Sequence, residues 1–304
     1  MVTWLWTPFT VPFMGRALVA LAILSVAGGV VSVFVLLRRL AFAADTLTHT
    51  VFPGVVLGFI LRGEPGVLVG AFVAAGVTAV ALTVLTRLSR VTEDTALAVL
   101  LTAMFSIGVV LVSRRASYTS DLTSFLFGRV LTVTPSQVAL TAGVAAVALV
   151  LLAVTAKEQL FRAFDPDGAR AAGFRLAWLD LVLNLVVALV VVAAVRAVGV
   201  LLVISFLVVP AAAARLLTSR LWALAVGGCA VALLSSAAGL LISYHASVEY
   251  GLRLAAGPTV VLTMSVVYVT CVIAAWIRRL RLAHRFDRRR PEPAARQPMT
   301  AASR

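Results

Sequence analysis

The sequence predicts an all-α, polytopic membrane protein of about eight to nine transmembrane helices, and three observations carry that prediction. Of its 304 residues, 62% are hydrophobic and only 12% are charged, whereas about half and about a quarter are usual for soluble domains. The apolar residues fall into long runs separated by short breaks rich in Arg, Gly and Pro, and a helix needs about 20 apolar residues to cross the hydrocarbon core. Half of the formal net charge of +14 lies beyond the last run, where Arg278 to Arg304 holds nine Arg against Asp287 and Glu292. Little chain is left for a folded soluble domain, which argues against an ordinary cytosolic enzyme.

The runs place spans near residues 13–37, 42–61, 66–87, 94–113, 136–155, 178–197, 198–216, 222–243 and 258–277. The stretch from Trp178 to Leu217 is too long for one crossing, and Arg196 and Gly199 mark a turn at its middle. The leading segment MVTWLWTPFTVPFM has neither the charge nor the cleavage pattern of a signal peptide, and Trp4 and Trp6 read as an interfacial belt. Residues 1–277 thus form a single transmembrane domain, and residues 278–304 a basic, disordered tail. The positive-inside rule puts that tail in the cytoplasm and, counting back, the N-terminus outside. The tail's charge suits anionic lipid headgroups, with no nucleic acid as partner. Cys229 and Cys271 each lie in an apolar run and offer neither a disulfide framework nor a CxxC site.

Two connections are more than turns. Residues 115–135 mix apolar and polar positions and read as a helix lying at the outer interface. Residues 157–176 form the longest cytoplasmic loop. In it Asp165-Pro166-Asp167-Gly168 reads as a turn or N-cap, and Ala169 to Ala172 as a short helix closed by Gly173. So small a helix has little to bury within its own chain and suits docking on another protein.

Ionisable groups inside a membrane are costly, so each marks a candidate site. Asp45 and His49 stand out in RRLAFAADTLTHTVFPGVVLGF. Four residues apart on a helix, both side chains leave the same face. A carboxylate and an imidazole together offer two ligands to a first-row divalent cation, with Mn, Fe or Zn favoured by the N/O donor set. Pro53 has no N–H to give the His49 carbonyl, so with the hydroxyls of Thr46, Thr48 and Thr50 it leaves polar groups at membrane depth. From Arg39, the pair lies about 9–15 Å along the helix at 1.5 Å per residue. Such residues could face a pore, or they could be a structural Asp–His hydrogen bond between packed helices. Two ligands cannot complete a shell, which suits an ion that must leave again. The metal is then cargo, with no permanently bound cofactor.

The remaining polar residues have plainer readings. Glu93 and Asp94 follow Thr92 at a helix start, Asp121 is solvated in the interfacial segment, and Asp180 is helix-terminal. Tyr244, His245, Glu249 and Tyr250 form an outer loop, and His284 belongs to the tail surface. Lys157 is the only lysine and precedes Glu158, so the chain has no P-loop, which needs Lys beside Ser or Thr after a Gly-rich turn. No catalytic constellation is present in the sequence, and any ATP hydrolysis belongs to a separate subunit.

Several ordered stretches resemble the permease subunits of ABC importers for manganese, zinc and iron, over roughly residues 13–277. They are RRLAFAADTLTHTVFPGVVLGF, EDTALAVLLTAMFSIGVVLVSR, DLTSFLFGRVL, FDPDGARAAGF and AVGVLLVISFLVVPAAAARLLTSR. The resemblance implies that Asp45 and His49 match the family's metal-contacting carboxylate and histidine. It also implies that the loop with Asp165, Ala169, Ala172 and Gly173 is the coupling helix that docks on ABC ATPase subunits. A second permease subunit, as a homodimer, would complete the pore, and an extracytoplasmic metal-binding protein would deliver the ion. The expected setting is the cell membrane, as a multi-pass protein. The family's usual residues beside the Asp and the His are replaced here by Ala44, Thr46, Thr48 and Thr50, a departure that bears on metal preference. Two other readings stay open on the residues alone: a proton-coupled secondary transporter with Asp45 and His49 as a relay, and an ABC permease for a metal chelate.

Overall fold

The computed structural model describes residues 8–88, 92–113, 128, 130–252 and 254–287. Within them the chain forms twelve α-helices, one 3-10 turn at Val130–Thr132 and no strand. Nine helical stretches are long and apolar enough to cross a membrane, and they fall where the apolar runs placed them. Helix α1 is Pro12–Leu37. Helices α2 (Ala41–Thr50) and α3 (Phe52–Arg62) share one span, and α4 (Glu64–Leu88) and α5 (Glu93–Ser113) follow. Then come α6 (Pro135–Val154), the short α7 (Ala156–Phe164) and α8 (Pro166–Ala171), α9 (Leu176–Val198), α10 (Val200–Leu217), α11 (Leu221–Glu249) and α12 (Ala256–Asp287).

The helix ends follow local chemistry. Thr134 and Gln137 cap α6 reciprocally: Thr134 Oγ1 accepts from the Gln137 N–H at 3.3 Å, and Gln137 Oε1 accepts from the Thr134 N–H at 3.0 Å. Thr92 Oγ1 accepts from the Thr95 N–H, so the start of α5 is capped as its sequence suggests. Gly199 divides the long apolar run between α9 and α10 with φ 79° and ψ 161°, a conformation in which a side chain is strained. Helix α12 runs past its apolar span to Asp287. The tail from residue 288, the segment 114–127 with residue 129, and Trp4 and Trp6 lie outside the described residues.

Burial sorts the helices into centre and rim. In α9, 72% of the spanning window is buried, against 17% in α12, so α9 is a core helix and α12 faces outward. Helices α1, α9 and α10 supply most of the central cluster, with Leu21, Leu24, Leu183, Val187, Phe206 and Leu207 fully or nearly enclosed. Val69, Val73, Val77, Val80 and Val84 form an exposed stripe along α4 at helical spacing. Small residues set the closest crossings. A Cβ on Gly29 would lie 2.7 Å from the Cys229 nitrogen, so α1 and α11 touch through backbone. Gly54 and Gly58 of α3 face Gly66 and Gly70 of α4 in the same way, and a Cβ at any of them would fall on the opposite backbone.

The corner between α1 and α2 determines how the next helix enters the bundle. The Leu40 N–H donates to the Val35 carbonyl at 2.8 Å and the Arg39 N–H to Leu36 at 3.2 Å, the double bond pattern of a Schellman cap. The left-handed position in such a cap usually belongs to glycine. Here it is Arg39, with φ 57°, the one non-glycine residue with positive φ among those described.

Candidate functional site

Helices α2 and α3 form a broken span. The helix stops at Thr50, Val51 is a one-residue turn, and α3 restarts at Phe52 with Pro53 in its first turn. Proline fits there because its missing N–H falls among the first-turn donors that have no helical partner anyway. The interruption lies where Pro53 predicts it, and Val51 between the two helices keeps right-handed helical torsions, φ −69° and ψ −26°.

Asp45 and His49 project from one face of α2, with Asp45 Oδ1 and His49 Nε2 3.5 Å apart. That is too long for a good hydrogen bond, and among the described residues the Asp45 carboxylate has no other side-chain partner. Neither is sealed in: side-chain exposure is 33% for Asp45 and 23% for His49. On its other side the His49 ring stands edge-on to Phe105 of α5, 5.7 Å between centroids. Phe105 in turn leans on Phe52 at the same separation. Phe52 fits because Gly108 has no side chain, since a Cβ there would overlap the Phe52 ring. The aromatic pair therefore fixes the back of the imidazole and leaves its Nε2 side towards Asp45.

The neighbouring hydroxyls contribute less than expected. Thr48 Oγ1 donates to the Asp45 carbonyl at 2.6 Å, and Thr50 Oγ1 to the Leu47 carbonyl at 3.2 Å. Both are engaged with the backbone of α2, as threonine in a helix commonly is. Thr46 Oγ1 is buried with no hydrogen-bond partner. Among the described residues no group of three or more His, Cys, Asp or Glu converges.

The second predicted region folds as a helix pair. Asp165 caps α8, its Oδ1 accepting from the Gly168 N–H at 2.8 Å. Ala172 is the C-cap, Gly173 takes the left-handed position with φ 87°, and the Phe174 N–H closes a Schellman motif on the Ala169 carbonyl at 3.1 Å. Ala169 is buried against the chain, while Phe164 is 66% exposed. Phe161 and Phe174 meet edge to face across the pair, so α7 and α8 form one small unit.

A third cluster was not anticipated. Asp180 is not a helix-terminal cap: it lies in the second turn of α9, where Arg162 of α7 grips it with Nε at 2.7 Å from Oδ1 and Nη2 at 2.6 Å from Oδ2. Arg38, at the end of α1, binds the same carboxylate and donates from Nη1 to Gln159 Oε1 at 3.2 Å. Gln159 is fully buried and donates from Nε2 to the Leu179 carbonyl at 2.7 Å. Arg38 lies 142 residues from Asp180 in the chain, a distance at which no local periodicity links them. A cavity of about 500 Å³ opens beside this cluster.

At the far end of α11, Tyr244 to Glu249 are helical and Tyr250 is the cap, so the expected outer loop is two turns of helix. His245 Nδ1 and Glu249 Oε1 stand 3.0 Å apart there.

The profile of the ABC 3 transport family matches residues 10–275. The chain is 32% identical over 256 residues to the manganese transport system membrane protein MntC of Halalkalibacterium halodurans, covering 84% of this chain and 85% of that protein. It is also 32% identical over 274 residues to the chelated iron transport system membrane protein YfeD of Yersinia pestis, covering 90% and 89%. Among solved structures, PsaBC from Streptococcus pneumoniae in complex with Fab superposes with a TM-score of 0.77 at 28% identity, covering 89% of this chain and 95% of that one.

Proposed function

The chain belongs to the ABC 3 transport family, and from that premise we propose that it is the transmembrane permease subunit of an ATP-driven importer for a divalent transition metal, Mn, Fe or Zn. The observation that carries this reading is the Asp45–His49 pair: two N/O donors one turn apart on a broken span, 3.5 Å from each other and partly exposed. A pair tied up in packing would be enclosed and hydrogen-bonded. This one keeps donor capacity towards an open face, which suits an ion passing through.

In the proposed mechanism two copies of the permease enclose the path, and each contributes Asp45 and His49. A metal-binding protein outside releases the ion to the pore. The carboxylate lowers the electrostatic cost of a divalent cation in the membrane, and the imidazole, held from behind by Phe105, offers Nε2 as a soft enough ligand for Mn, Fe or Zn. Helices α7 and α8 face the cytoplasm with the C-terminus, and ABC ATPase subunits dock on them. ATP-driven closure of those subunits alternates access to the path. The names of MntC and YfeD, which refer to manganese and chelated iron, make those two metals the first to test.

The test is uptake of manganese, iron and zinc by liposomes holding the permease with its ATPase. Asp45→Ala and His49→Ala complexes should assemble normally and accumulate no metal. Undiminished accumulation by either one removes the pair from the path. Uptake by the permease alone, driven by a pH gradient, would assign the pair to a proton relay instead.

A further inference from the structure

We propose that the cluster of Arg38, Gln159, Arg162 and Asp180 is the linkage through which the docking helices move the metal-path helix. The inference rests on the importer reading above and adds positioning residues to it.

The cluster joins three parts of the chain that share no local sequence. Arg162 and Gln159 belong to α7, whose end runs through Asp165 directly into α8. Asp180 and the Leu179 carbonyl belong to α9, the most buried span. Arg38 closes α1 at the corner from which α2 departs. One carboxylate is shared by two guanidiniums, one of which grips it with two nitrogens. Such a fork–fork pair is directional: it transmits a displacement of either partner rather than yielding to it. Gln159 adds a second, parallel tie, since it accepts from Arg38 and donates to α9.

The receiving end is a short lever. Arg38 is followed by Arg39 in the left-handed region and by Leu40, after which α2 begins. Asp45 lies in the second turn of α2 and His49 one turn further. A pull on the Arg38 guanidinium therefore acts on a corner with a single strained pivot, a few residues before the metal pair. The cavity beside the cluster, lined by Leu40, Arg162, Arg170, Phe174 and Asp180 among others, leaves room for α7 and α8 to shift without repacking the core. A cluster that only stapled the fold would need neither the pivot nor the space.

The test uses the complete transporter in liposomes, with Asp180→Asn and Arg162→Gln permeases. Both assembly with the ATPase and ATP hydrolysis are measured, together with metal moved per ATP. Both variants should assemble and hydrolyse ATP, with metal moved per ATP reduced about tenfold, an ordinary size for lost coupling between sites. Asp180→Glu, which keeps the charge and both acceptors, should restore part of the ratio. An unchanged ratio in Asp180→Asn or Arg162→Gln overturns the inference. So does a proportional fall of hydrolysis and transport, which marks a docking or folding role. If Asp180→Asn fails to assemble, Arg162→Gln decides alone, because it leaves the Arg38–Asp180 pair in place. A wild-type complex that moves no divalent metal overturns the importer reading itself, a separate outcome.

Discussion

Asp45 with His49 and Asp180 with its two arginines are both ionic groups inside an apolar bundle, yet they are built in opposite ways. Asp180 has its oxygens taken by Arg38 and Arg162, whose side chains are 11% and 17% exposed. Asp45 faces one imidazole at 3.5 Å and is itself a third exposed. Saturation rigidifies: a charge whose partners are all protein holds its elements in one arrangement. Incomplete pairing leaves capacity for a ligand that is not protein. In the two proposals the carboxylates divide the labour, Asp180 to move parts and Asp45 to meet cargo.

The largest expected effects separate the two by which quantity fails. Asp45→Ala should abolish uptake while changing stability by no more than about 0.5 kcal/mol, as for a surface site without a strong partner. Asp180→Ala strips two guanidiniums of their counter-ion and should cost about 2–3 kcal/mol, below the roughly 3–5 kcal/mol typical of fully buried pairs because the site is partly exposed. Thermal unfolding in detergent, read beside uptake, checks both. Equal melting temperatures for the two variants would erase the contrast.

Next in size are the glycines where α3 and α4 cross. Gly70→Ala would drive a methyl into the Gly54 backbone, and forcing α3 and α4 apart should cost about 1–3 kcal/mol as overpacking does. Since α3 continues from the broken span, uptake should fall with stability, unlike in Asp45→Ala. Pro53→Ala should act the other way. It supplies an N–H and permits a continuous helix through Val51, so it should hold or raise the melting temperature while lowering uptake several-fold. An uptake equal to that of the unaltered chain would show that the break is dispensable.

The fold was legible in the sequence to a degree that the site was not. Nine apolar runs, the Gly199 turn and the Asp165–Gly173 cap depend on neighbours within a few residues, and composition and spacing encode such features directly. That Asp45 and His49 stand side by side was legible for the same reason, being four apart on one helix. Asp180 was misread as a helix end because its partners are Arg162, 18 residues away, and Arg38, 142 away. Nothing in the spacing of those residues reports their meeting. One signal was available: Asp180 follows the first turn of an otherwise apolar span, and an acid there needs a cation. The far end of α11 was misjudged because Tyr244–Glu249 is polar enough to resemble a loop, while its helix continues there with His245 and Glu249 paired at i,i+4.

Arg39 gives the finest test of the comparison, because it sits between the saturated cluster and the open pair. A left-handed arginine costs about 1–2 kcal/mol relative to a right-handed one. Glycine removes that strain but loses about 0.5–1 kcal/mol through its freer unfolded chain. Arg39→Gly should therefore raise stability slightly, by about 0.5–1 kcal/mol, consistent with the glycine usually found at this cap position. If the corner transmits motion from Arg38 to α2, the same substitution adds slack at the pivot. Metal moved per ATP should then drop even as the melting temperature rises. A rise in both would mean that the strain at Arg39 serves no transport step, and that the cluster and the metal pair work independently.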